Sequence, residues 1–136
     1  MQDLLGLKFF PLNPGRIMDT RAGVVLSGLT GAFVGSTGVT NTRTLDTDGH
    51  WGIPLDAKAM TGNLAITAPA KAGHITIMLS TSDPQTASLN FPAGDTRSNG
   101  ITVPVTNPGG DLLMHYHTST NGGTVHLILD ATGYFK

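Results

Sequence analysis

From residue 63 to residue 129 the chain is cut into short segments that alternate apolar and polar residues, with no helix-length period among them. Asn63 to Ala68, Gly73 to Leu79, Ala87 to Phe91, Gly100 to Val105, Asp111 to His117 and Thr124 to Leu129 all follow this pattern. Alternation sends successive side chains to opposite faces, which suits a strand with one buried side. The segments are bounded by Pro69-Ala70-Lys71-Ala72-Gly73, Asp83-Pro84, Asn107-Pro108-Gly109-Gly110 and Asn121-Gly122-Gly123, residues that turn a backbone cheaply. Parallel strands need long crossover connections, commonly helical, and the sequence contains none. The spacing predicts an all-β chain: a single antiparallel β-sandwich, jelly-roll-like, of about eight to ten strands.

Composition points the same way. All nine acidic residues are Asp and none is Glu, while Thr numbers 19 and Gly 18. Glu favours helices, whereas Thr and Gly-rich turns favour short strands with tight connections. At 136 residues one domain can bury a real core, and the absence of cysteine excludes disulfides and thiol chemistry. A net charge of -1, with 12% charged residues and no two basic residues adjacent, argues against a nucleic-acid footprint. No stretch approaches the roughly 20 apolar residues of a membrane span. Met1-Gln2-Asp3 puts an acid where a secretory leader carries basic residues, so no signal peptide is expected.

The first half is less regular. Residues 4 to 12 carry Leu4, Leu5, Leu7, Phe9, Phe10 and Leu12, unusually apolar for a terminus. Residues 1–13 read as an N-terminal arm or edge strand stopped by Pro11 and Pro14, ahead of a sandwich domain over 14–136. Arg16 to Thr20, Val24 to Leu26 and Val39 to Leu45 are further strand candidates. Gly28 to Gly38 reads as a loop or broken strand, and Pro54 to Met60 is the one place for a helical turn.

Four motifs stand out in order: Pro14-Gly15-Arg16-Ile17-Met18-Asp19-Thr20-Arg21, Gly52-Ile53-Pro54-Leu55-Asp56-Ala57, Ser88-Leu89-Asn90-Phe91-Pro92-Ala93-Gly94-Asp95-Thr96-Arg97-Ser98-Asn99, and Asp130-Ala131-Thr132-Gly133-Tyr134-Phe135. In this order and spacing the chain resembles a β-sheet module repeated in many secreted actinobacterial proteins and carried by some of their phages. The resemblance spans about residues 9 to 136 and implies a β-sheet fold. It implies no reaction, because the module is not known as catalytic.

The Asp-Thr-Arg copies have a structural reading. Asp at a strand end can accept backbone N–H bonds, and an Arg two positions on shares its face, so either Asp can meet its own Arg or that of the other copy. Arg16, Asp19, Thr20, Arg21, Asn90, Asp95, Thr96, Arg97, Asn99 and Asp130 are therefore expected to organise the sheet ends. The alternative, a carboxylate pair acting on a glycosidic bond, meets the absence of any Glu acid. No nucleophile elbow or phosphate-binding glycine loop is present, and no catalytic residue is assigned.

No cofactor or metal is expected. The weak metal candidates are His115 and His117, which share a strand face, with His126 opposite them if a hairpin joins their strands. Asp46, Asp48 and Asn41 fall short of a full calcium loop. Trp51, beside His50, is a possible platform for a sugar or peptide.

Two functions follow. The first is a non-enzymatic virion structural protein, a phage capsid decoration or cement protein. It would self-associate, with a trimer favoured, contact a major capsid or other virion protein through Leu4, Leu5, Leu7, Phe9, Phe10 and Leu12 of the arm, and bind neither nucleic acid nor membrane. The second is an extracellular or cell-surface binding or spacer module of a secreted bacterial protein, possibly recognising cell-wall glycan.

Overall fold

Ala59 to Thr67 alternates strictly between half-buried and buried positions, with Met60, Gly62, Leu64 and Ile66 turned inward. Thr124 to Phe135 does the same through Val125, Leu127, Leu129 and Ala131. These two segments lie side by side and form the centre of the fold.

The computed structural model describes residues 6–21, 31–38, 41–46, 52–79, 87–105 and 111–136. Nine strands are present among them: β1 (Phe9–Asp19), β2 (Phe33–Val34), β3 (Arg43–Asp46), β4 (Ala59–Thr67), β5 (Gly73–Met78), β6 (Leu89–Phe91), β7 (Arg97–Pro104), β8 (Asp111–Thr118) and β9 (Thr124–Phe135). One sheet runs β1-β9-β4-β7, with β2 also pairing β9, and the second runs β3-β8-β5-β6. Every strand pairing is antiparallel. The two sheets pack together as the expected all-β sandwich, and the arrangement is compatible with a jelly roll.

The core lies between the sheets. Ile17, Met18, Leu64, Ile66, Leu127 and Leu129 come from the first sheet, and Leu45, Ile75, Leu112, Met114 and Tyr116 from the second; Phe33 and Ile53 are also buried in it. Each such side chain taken from water contributes roughly 1.5–3 kcal/mol, which is what holds two sheets without a disulfide.

Several elements differ from the sequence reading. Pro11 and Pro14 do not stop a strand; β1 runs through both, because it is an edge strand on which a missing N–H costs least. Its register against β9 slips between Pro11 and Gly15, and again between Arg16 and Met18. The second slip is a bulge, and it explains why Ile17 and Met18 are both buried where alternation would expose one. Residues 54–57 make a single turn, with Ala57 N–H donating to the Pro54 carbonyl at 3.1 Å, and β4 starts at Ala59 rather than Asn63. β7 likewise starts at Arg97 and β9 runs on to Phe135. Val24–Leu26, Val39 and Thr40 lie outside the described residues.

Candidate functional site

The first and last motifs meet. Arg16 on β1 sits opposite Asp130 on β9, and its guanidinium grips that carboxylate with Nε–Oδ1 2.9 Å and Nη2–Oδ2 3.4 Å. Its Nη1 also donates to Asp19 Oδ2 at 3.2 Å. Asp19 in turn receives Arg21 on both oxygens, at 2.9 and 2.7 Å, and the Arg21 backbone N–H at 3.1 Å. The Asp19 side chain is 1% exposed, while Arg16 and Arg21 are near half exposed. Hydrogen bonds from Arg21, with the charge of Arg16 behind them, overcome desolvation and hold the Asp19 carboxyl down at about 2. Thr20, also buried, accepts the Leu127 N–H at 3.0 Å on its hydroxyl, so the whole Asp-Thr-Arg unit locks the end of β1 onto β9.

The second copy locks a different corner. Residues 92–96 carry the chain from β6 in one sheet to β7 in the other, with Gly94 at φ 77°. Arg97 pairs with its own Asp95, Nε–Oδ2 2.7 Å, and donates to the Asn90 carbonyl; Asn99 donates to the Ser88 carbonyl. Thr96 shares a hydrogen bond with Thr67 of β4. So the third motif is a brace across the sheet corner. Each Asp meets its own Arg, and the two copies sit at opposite edges of the first sheet. Three strand spacings separate those edges, about 14 Å at ~4.8 Å each, too far for a paired-carboxylate glycosidase centre.

The Gly-Tyr-Phe ending has its own role. Phe9 covers Gly133, where a Cβ would run into the Phe9 ring and the Phe10 carbonyl. Phe9 also tilts against Phe135 at 5.3 Å between centroids, and Phe10 stacks on Tyr134 at 5.2 Å. Lys8 and Lys136 exchange backbone hydrogen bonds at the very end. Of the apolar terminal residues, Leu7 and Leu12 are half-buried, while Phe9 and Phe10 remain 48% and 38% exposed. Leu4 and Leu5 lie outside the described residues.

The histidine arrangement departs from expectation. β8 and β9 form no hairpin; they belong to different sheets. The 119–123 connection crosses between the sheets, with Gly122 and Gly123 both at positive φ and Lys71 Nζ bonded to Thr120 and Asn121. His126 is therefore removed from His115 and His117 and bonds Thr20 Oγ1 at 3.1 Å. The neighbour that sequence reasoning missed is His74, opposite His117 in the β5–β8 register and stacked on it at 4.8 Å. No sequence signal marks that pair, since the order of strands in the sheet decides it. Stacked rings aim their lone pairs side by side rather than at one point. Among the described residues no group of three or more His or Asp is placed to hold a metal ion.

Asn41 donates its side-chain amide to the Val34 carbonyl, and the side chains of Asp46 and Asp48 lie outside the described ones, as do His50 and Trp51. A shallow groove is lined by Val34, Asn41, Thr42 and Arg43. Arg43 there donates to the Gly31 and Ala32 carbonyls and lies over the Phe33 ring at 4.3 Å.

No family model matches the chain, and no curated protein matches it. Among solved structures it is similar to the coat protein of tobacco streak virus, with a TM-score of 0.40 and 9% identity over 96% of this chain and 89% of that one.

Proposed function

We propose that this chain is a non-enzymatic virion structural protein, a phage capsid decoration or cement protein that self-associates and seats on an assembled shell. The observation that carries this reading is the apolar end of the first sheet. Phe9 and Phe10 stay exposed beside Tyr134 and Phe135, and Leu55, in the turn leading into β4, is 69% exposed. Apolar side chains gathered at one end of a monomer mark a surface that a partner covers. The motif residues support the reading from another side: Arg16, Asp19, Arg21, Arg97, Asn99 and Asp130 are all engaged in bracing the sandwich. A trimer is the favoured assembly, since three-fold positions are common on icosahedral shells.

The test is quantitative mass spectrometry of purified particles from cultures that make the protein, with particles reconstituted using a Phe9→Ser/Phe10→Ser variant. The expected result is the chain in the particle fraction at tens of copies or more, lost when both rings are removed. Its recovery from the cell-wall or culture-supernatant fraction instead would overturn the proposal in favour of a cell-surface module.

A further inference from the structure

On the outer face of the second sheet three imidazoles form one cluster. His74 and His117 stack at 4.8 Å with planes 20° apart, and His115 meets His117 edge-on at 6.1 Å. His115 is fully buried, and so is Thr76, its partner across the β5–β8 pair. Residues 36–38 flank the cluster. Ser36 N–H donates to the Tyr116 carbonyl at 3.2 Å, Thr118 N–H donates to the Ser36 carbonyl at 3.1 Å, and Ser36 Oγ contacts His115 Nε2 at 3.0 Å.

The proton positions follow from counting. The Ser36 hydroxyl has one proton, and it goes to the Gly38 carbonyl at 2.8 Å. His115 Nε2 must therefore be the donor to Ser36 Oγ, which leaves Nδ1 bare. That Nδ1 is buried without a partner, and so is His74 Nε2. Among the described residues neither atom has an acceptor for an added proton, and the Thr76 hydroxyl across from His115 is likewise buried without a hydrogen bond.

Among the described residues no group around the cluster supplies a counter-charge. Thr76 of β5, Asn90 of β6, Thr44 of β3 and Ser36 are described polar side chains flanking it, and none titrates in this range. Arg43 turns away to the Gly31 and Ala32 carbonyls. Among the described residues the charge that a protonated ring would feel is that of the other two. Burial and those like charges push His74 and His115 below the ordinary histidine value.

We propose that His74, His115 and His117 form an acid-operated latch that holds residues 36–38 against β8 and releases them on protonation. Below the ordinary value of about 6.5 the unfolded or opened chain takes up protons that His74 and His115 refuse in the closed state, so the closed state loses stability as pH falls. Lifting residues 36–38 lets water reach the rings; their hold on β8 is a single bridge plus the Ser36–His115 bond, and beyond β8 Thr37 donates from its backbone N–H to Asn121 Oδ1 at 3.0 Å.

Hydrogen exchange and thermal unfolding between pH 7.5 and 5.0 test this, using wild type and His117→Gln. In wild type the Ser36 and Thr118 amides should lose protection, corrected for intrinsic rates, at least tenfold more than the Leu64 and Leu129 amides of the central strands. Tm should fall by about 5 °C or more over that range. Removing the ring that both others contact should halve either effect or better, and raise the imidazole NMR midpoints of His74 and His115. Ser36 and Thr118 protection that stays constant, or a Tm slope identical in His117→Gln, would overturn the latch. Should His117→Gln fail to fold, wild-type midpoints of His74 and His115 at or above about 6.5 would overturn it equally.

Discussion

Arg16 and Asp130 stand 114 residues apart in the chain and face each other across β1 and β9, joined by a two-pronged ion pair of 2.9 and 3.4 Å. Behind that pair Asp19 is the buried member, reached by both Arg16 and Arg21. The burden of the network therefore falls on Asp19. Asp19→Ala should cost about 2–3 kcal/mol, because it takes the acceptor from the Arg21 side chain and N–H and one of the two partners of Arg16. Asp130→Ala should cost about 1 kcal/mol or less, since that pair is largely exposed. Urea unfolding of the two variants measures the difference.

The same carboxylate sets an acid limit. Asp19 is held at about 2, against an ordinary value near 3.9, so the folded state binds its proton later than the unfolded one. The resulting stability is complete above about pH 4 and is lost as pH falls from there towards 2. With its arginines half in water, about 1–2 kcal/mol is expected. Wild type and Asp19→Asn should converge in Tm between pH 4 and 2.

Tyr116 is fully buried at the core edge, and its hydroxyl donates to the Lys71 carbonyl at 2.6 Å and accepts the Lys71 N–H at 3.3 Å. Tyr116→Phe keeps the ring and orphans both backbone groups. A loss of about 1–2 kcal/mol by chemical denaturation is expected.

Two glycines should separate in severity. A Cβ at Gly62 would enter the Asp130 carbonyl oxygen in the middle of the first sheet, where backbone has to move; at Gly133 it meets the Phe9 ring, which can swing away, and the Phe10 carbonyl at 2.9 Å, which lies on the edge strand β1 and has only to yield slightly. Gly62→Ala should prevent a stable fold. Gly133→Ala should fold with the end of β1 loosened, seen as faster proteolysis within residues 6–12.

Ala68 is the one described non-glycine residue at positive φ, 54°, and it is exposed at the end of β4. Ala68→Gly relieves that conformation and should be neutral or stabilising by up to about 1 kcal/mol in Tm-derived free energy.

The alternation of Met60, Leu64 and Ile66, or of Leu127 and Leu129, was readable because each residue faces the core by local geometry alone. The passage of β1 through Pro11 and Pro14 was not, since it depends on which strand lies beside it and on a register slip visible only in the pair. Asn121-Gly122-Gly123 reads as a hairpin turn by composition, yet here it crosses between sheets, and that choice moved His126 away and brought His74 in. The contact of Asp19 with Arg21, and of Asp95 with Arg97, was legible from residue type and spacing. Arg16 finding Asp130 was not, because nothing local links them.

β9 is the last of the nine described strands and also an interior strand of its sheet, flanked by β1 on one side and β4 on the other. During synthesis β1 and β4 emerge long before their shared neighbour exists. The first sheet therefore cannot zip up until residue 135 has cleared the ribosome, and until then both strands wait with open edges that favour mispairing. A chain cut at residue 123 would take the shared partner from β1, β2 and β4 at once, leaving only the β4–β7 pair of the first sheet.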